Sequence, residues 1–381
     1  MPRCRWRALM HSSSHEFEEP ISDRAAIRQA DLVELPVARS TPRVFYPQLE
    51  SLRGIAAFIV VLHHALIISI DDPSLPEPLY LLTVVWSFLF HGGAAVILFF
   101  VLSGFVLSLN FDLTEGLRPS LYGRFLIRRV LRLYPVVFVS IVLALEKNYY
   151  WGGPAFEPRQ IADMFLLRDV TLNQPLWSIQ VEALVSGIYP LLLLAFVRGR
   201  NAAVGLFLPI ALVAYFWGHG PEVILKYLPA FLLGLLIPTA GYDLMMKLGR
   251  SFATLSLPVV FCLYSSGIIL GHYRLTGSSP ALFLQMFGSF YIVAFVAFWG
   301  YDVQWLKTGI ARWLGRISYS LYALHFPIVG FVASYFNEPS SWHRVVVVLA
   351  VSIPLSLLCA TIAAHAIEWP FHRLGRKITS M

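Results

Sequence analysis

Charge is scarce in this 381-residue chain: Asp, Glu, Lys and Arg together make up 13% of it, about half the share of an ordinary soluble protein. Hydrophobic residues make up 57% and mean hydropathy is +0.67, so a water-soluble fold would run out of polar side chains to cover its surface. A nucleic-acid-binding domain and a disordered regulator are excluded on that ground. Cysteine is nearly absent. Cys4, Cys262 and Cys359 are the three present, too far apart in sequence for a metal-ligand pattern and too few for a disulfide framework. The opening MPRCRWRALMHSSSHEFEEP lacks the apolar core of a secretory signal.

What the chain has instead is long apolar runs, each near the ~20 residues that a helix needs to cross the hydrocarbon layer. They fall at about 53–71, 80–109, 133–148, 182–197, 201–218, 222–239, 252–271, 280–300, 317–336 and 344–366. The expected fold is all-α, a polytopic transmembrane bundle of about ten helices, with 80–109 long enough to tilt or break. Residues 1–45 read as a polar, mobile extension with a short amphipathic helix around 22–35, and 46–376 as the membrane domain. With ten spans, 22 of the 29 basic residues fall on the side of the termini and 6 on the other, Arg53 being the remaining one. By the positive-inside rule both termini are cytoplasmic, and the net charge of +7 reflects topology rather than nucleic acid. The reading is of a multi-pass protein of the inner (plasma) membrane. The largest outer segment, about 149–181, carries an amphipathic stretch at 158–168 and is expected to form a cap.

Ionisable groups at membrane depth are costly and become candidates for function. In ESLRGIAAFIVVLHHA, Arg53 and His64 are eleven residues apart, which at ~100° per residue brings them within ~20° of one face and ~16 Å apart along the axis. Glu50 lies one turn before Arg53, whereas His63 points about 80° away. A neutral imidazole near midplane can accept a proton or an acyl group. The plainer reading has Arg53 snorkelling to the surface and His64 bonded to a neighbouring helix.

Further on, YGRFLIRRVLRLYP places Arg124, Arg128 and Arg132 on one stripe with Arg129 offset. Such guanidinium groups hold phosphates bidentately or anchor a helix at the cytoplasmic surface. Ser103 and Gly104 suit close helix packing. Glu182, in PLWSIQVE, is expected at the outer entrance of the fourth span, orienting an imidazolium, binding an acceptor hydroxyl or capping the helix. His325 reads as a packing residue, and Glu368 as a partner for a cytoplasmic arginine.

These blocks, with FFVLSGFVLS, GRISYSLYALHFPI and IEWPF, occur in an order that resembles the acyltransferase-3 family of integral membrane acyltransferases. The resemblance covers about 45–373. It implies ten transmembrane helices and transfer of an acyl group, usually acetyl, from cytoplasmic acyl-CoA to an acceptor hydroxyl, often on a cell-envelope carbohydrate. No metal is implied. The family's first-span Arg and His fall on Arg53 and His64, its R-x-x-R motif on Arg129 and Arg132, and the acid of its SxxxE-like block on Glu182. Glu50 stands where the family usually has Asp. After Glu182 this chain has ALVSGIYP in place of the bulky aromatics common in the family, a departure that bears on the acceptor pocket. The scheme implied has Arg129 and Arg132, joined by Arg128, gripping CoA phosphates, and Arg53 stabilising the thioester oxyanion or CoA. His64 then acts as acyl carrier or base, and Glu182 serves the acceptor side. A polytopic transporter is the competing class, since buried Arg, His and Glu suit it too. No inverted halves and no matched pair of broken helices support it.

Overall fold

The computed structural model describes residues 46–70, 77–110, 119–198, 223–267, 279–300, 303–336 and 342–380. All regular structure among them is helical. The helices are α1 (Pro47–Ser69), α2 (Glu77–Leu89), α3 (Gly92–Asn110), α4 (Pro119–Tyr150), α5 (Pro158–Phe165), α6 (Leu176–Arg198), α7 (Val223–Leu236), α8 (Tyr242–Leu255), α9 (Leu257–Tyr264), α10 (Ser279–Trp299), α11 (Gly309–Tyr335), α12 (Trp342–Ala363) and α13 (Trp369–Ser380). Single π-turns join α7 to α8 and α12 to α13.

Seven helical stretches among the described residues are long and apolar enough to cross a membrane: Pro47–Ser69, Leu81–Leu109, Leu176–Leu193, Lys226–Leu255, Pro280–Trp299, Gly309–Tyr335 and Trp342–Ser380. Three of the ten expected runs account for the difference. The run at 201–218, like the extension at 1–45, lies outside the described residues. That at 133–148 is the second half of α4, a 32-residue helix whose first half carries the arginines. That at 252–271 is divided between the end of α8 and the eight-residue α9. The long run at 80–109 is broken, as the sequence allowed, at Phe90 and His91 between α2 and α3.

Helix α1 forms the spine of the bundle, packing against α3, α11 and α12. Its contact with α11 is the most extensive among the described helices, and glycine is the reason. A side chain at Gly54 would collide with the backbone of Leu314 and Gly315, and one at Gly315 would strike the backbone of Glu50. Two helices meet backbone to backbone there, the small-residue crossing favoured where apolar lipid gives helices no hydrophobic reason to associate. Gly104 of α3 and Gly234 of α7 make a second crossing of this kind, against Phe231 and Val101, so Gly104 packs as its sequence context suggests. Fixed by the first crossing, α1 carries Arg53 and His64 on one uninterrupted helix and brings His64 against His325 of α11.

Candidate functional site

Near the Glu50 end of α1, three helices bring charge together. Arg53 lies within electrostatic reach of Arg132, Glu182, Arg129 and Glu50. Arg129 Nη1 donates to Glu182 Oε1 at 2.9 Å, and Ser103 Oγ approaches the same oxygen at 3.5 Å. Glu368, at the end of the second π-turn, is buried and accepts from Ser320 Oγ at 2.6 Å, with Arg132 and Arg53 acting on it across space. Tyr319 stands among these charges and donates to the Leu133 carbonyl at 2.6 Å. Among the described residues, Arg53 makes no hydrogen bond or ion pair of its own. Its guanidinium is therefore available to an incoming anion, in a setting where Arg129 is already partnered.

Farther along α1, His64 meets His325 of α11. His325 Nδ1 lies 2.7 Å from the Tyr322 carbonyl, and His325 Nε2 lies 3.1 Å from His64 Nδ1, which is also 3.0 Å from the Val60 carbonyl. A carbonyl only accepts, so the proton of a neutral His325 is on Nδ1 and its Nε2 carries a lone pair. His64 Nδ1–H then donates to that lone pair and to Val60, which leaves His64 Nε2 unprotonated. A base or nucleophile is thereby oriented by two backbone carbonyls, with Phe326 edge-on to its ring at 5.4 Å.

His325 is itself held from the other side of α11. Pro327 has no N–H to give the Ala323 carbonyl, and Asn173 Nδ2 donates to that carbonyl instead, at 3.2 Å. Tyr322 hydroxyl lies 2.7 Å from Ser178 Oγ and 3.1 Å from the Pro175 carbonyl. The segment expected to cap the membrane face thus contains helix α5 where the amphipathic stretch was read, and its end sinks into the bundle at Asn173, which is only 2% exposed.

Residues 46–361 match the model of the acyltransferase-3 family, described as an acyltransferase domain. The chain belongs to this family. No curated protein and no solved structure matches it. The family makes it a membrane acyltransferase, and two regions of the fold fit that chemistry: a group of arginines for anion binding and an oriented imidazole for transfer.

The sequence-derived candidates of this acyltransferase divide between those regions. Arg53, Arg129 and Arg132 gather with Glu182, while His64 stands apart from them along α1. One expectation changes as a result. Glu182 does not stand at the opposite entrance from the arginines; its contact with Arg129 puts the two at one depth. The helix carrying it begins at Leu176, six residues before the expected span, so Glu182 is already nearly two turns inside. Arg53 lies with Arg129 and Arg132, and the ~16 Å rise along α1 separates it from His64 as the helical arithmetic requires. Arg128 Nε donates to the Arg124 carbonyl on its own helix at 3.2 Å. Glu368 has Ser320, not an arginine, as its direct partner.

His325 is the residue that sequence reasoning undervalued. A single histidine in an apolar helix cannot disclose a partner 261 positions away. Among the described residues, no group of three or more His, Cys, Asp or Glu side chains is placed to hold a metal ion.

Proposed function

We propose that this protein transfers an acyl group, acetyl in the first instance, from acyl-CoA to a hydroxyl of a carbohydrate or other cell-envelope acceptor, with His64 as the base. The observation that carries this reading is the free lone pair on His64 Nε2, fixed by His325 and two backbone carbonyls. In the proposed step, Nε2 takes the proton of the acceptor hydroxyl as its oxygen attacks the thioester carbonyl carbon. The tetrahedral intermediate collapses, the carbon–sulfur bond breaks, and the imidazolium returns the proton to the departing CoA sulfur. His325 Nε2 accepts from Nδ1–H throughout and steadies the imidazolium.

Arg53, Arg129 and Arg132 bind the CoA phosphates in this scheme, and the pantetheine arm bridges the ~16 Å to His64. Glu182 holds Arg129 in an ion pair and so limits the positive charge that the group presents to the phosphates. The accompanying topology has ten spans with both termini cytoplasmic in the inner membrane, supported by the distribution of basic residues.

The test is acyl transfer from labelled acetyl-CoA by purified protein in vesicles. His64→Ala is expected to lower turnover by about 10²- to 10⁴-fold at equal membrane abundance. Undiminished transfer would sink the scheme. Label retained on the protein without acceptor would replace direct transfer with an acyl-histidine relay, and solute flux without CoA consumption would favour a transporter.

A further inference from the structure

Beside His64 is a polar group that the transfer step does not use. The break between α2 and α3 leaves His91 outside both helices, where it caps α3: its Nδ1 accepts from the Ala94 N–H at 3.3 Å. Its Nε2 faces the side-chain amide of Gln285, a buried residue of α10, at 3.1 Å. The His63 ring is stacked on His91 (centroids 6.3 Å, planes 13° apart) and edge-on to His64 (5.4 Å, 82°). The Phe90 carbonyl lies near the His63 ring. His63 Nδ1 is buried and has no partner among the described residues.

Three features argue against a purely structural role. Irregular backbone at membrane depth is tolerated where it is buried in protein or lines a wet cavity, and broken helices commonly build substrate sites there. A buried imidazole nitrogen without a partner is costly unless something occupies it. Two of the positions whose side chains would crowd this group are glycines: a Cβ at Gly92 would strike the His63 ring, and one at Gly267 would strike the Gln285 amide and His91 Nε2.

We propose that His63, His91 and Gln285 form the acceptor subsite, holding a second hydroxyl of a polyhydroxylated acceptor while its neighbour reacts at His64. This rests on the reading of His64 as the base. His63 Nδ1 takes the second hydroxyl as its missing hydrogen-bond partner, the Gln285 amide donates to that hydroxyl's oxygen or to that of the next carbon, and His91 fixes the Gln285 amide. The His63 and His64 rings are neighbours, with centroids 5.4 Å apart, so one small polyol can touch both. The substrate class is a cyclic polyol such as a pyranoside, with a monohydroxy alcohol of equal bulk as the disfavoured analogue.

The experiment uses the full chain in detergent or vesicles with acetyl-CoA and four methyl pyranosides (glucoside, galactoside, mannoside, N-acetylglucosaminide), with cyclohexanol as the monohydroxy probe. His63→Phe and Gln285→Leu are expected to raise the KM of the preferred pyranoside about tenfold or more and to remove its advantage over cyclohexanol. The KM for acetyl-CoA should stay within about twofold. Gln285→Asn, which keeps the amide donor, should recover part of the loss. Equal weakening of donor and acceptor, or no change for any pyranoside, overturns the subsite. A parent protein that turns over none of the probes counts against the proposed function instead. In that case pyranoside-induced thermal stabilisation of the parent decides the subsite: its loss in His63→Phe supports it, and its absence in the parent overturns it.

Discussion

Replacing Glu182 with Gln removes one carboxylate from a group in which Arg53, Arg129 and Arg132 act on one another. The Arg129–Glu182 contact is 2.9 Å, with side chains 12% and 23% exposed, so the pair is screened far less than a surface ion pair. With charge centres about 4 Å apart and an effective dielectric constant of about 20, the attraction is about 4 kcal/mol. Desolvation offsets much of this in the intact protein, but losing either partner leaves the other charge in the bundle uncompensated. Glu182→Gln and Arg129→Gln should each cost about 3 kcal/mol of stability. The double variant should cost much less than their sum, a coupling of about 2–3 kcal/mol. Unfolding in mixed micelles measures all four species. The ligand side gives a second reading: Glu182→Gln releases Arg129, so CoA should bind several-fold more tightly to the single variant despite its lower stability. Stabilities that add to within about 0.5 kcal/mol, or weaker CoA binding by Glu182→Gln, would refute the idea that Glu182 holds Arg129 back from an anion site.

Three further outcomes follow from the geometry. His325→Ala should lower turnover by about tenfold or more while leaving the CoA dissociation constant in place, and His325→Gln, whose carboxamide can stand in for Nε2, should recover part of the rate; equal rates for the two variants would show that His325 only packs. Gly54→Val pushes a side chain into the Leu314–Gly315 backbone and should destabilise the protein by about 3 kcal/mol or abolish folding, read from unfolding in detergent. Ser320→Ala leaves the Glu368 carboxylate buried without its hydroxyl donor and should cost about 1–3 kcal/mol, whereas Ser320→Thr should be near neutral in the same measurement.

The helical, membrane-spanning character of the fold was legible because hydropathy acts locally, through runs long enough to cross a bilayer. The relation of Arg53 to His64 was legible for the same reason: both lie on one helix, and helical arithmetic holds within it. Relations between helices were not. Glu182 was given the wrong depth because an apolar run marks where lipid begins, while α6 starts earlier, inside a segment that sinks into protein. The break at His91 lies in a run whose hydropathy barely falters, and the clue that was there, the HGG that follows Phe90, reads as a turn only when its length is not needed to span lipid. His325 needed the crossing of α1 and α11 to acquire a partner. That crossing was encoded by Gly54 and Gly315, two small residues with no sequence feature to link them.

The tether between Asn173, Ser178 and α11 also bears on engineering. Sequence segments between spans are the usual places to exchange specificity among related enzymes, and residues 149–178 look exchangeable on hydropathy alone. Here the end of that segment satisfies the carbonyl that Pro327 leaves open and holds the hydroxyl of Tyr322 three residues before His325. A transplanted segment lacking an amide at position 173 or a hydroxyl at 178 would alter the setting of the histidine pair along with the acceptor it was meant to change. Chimeras of this protein are better cut on the near side of Thr171, keeping the last eight residues of the segment with α11.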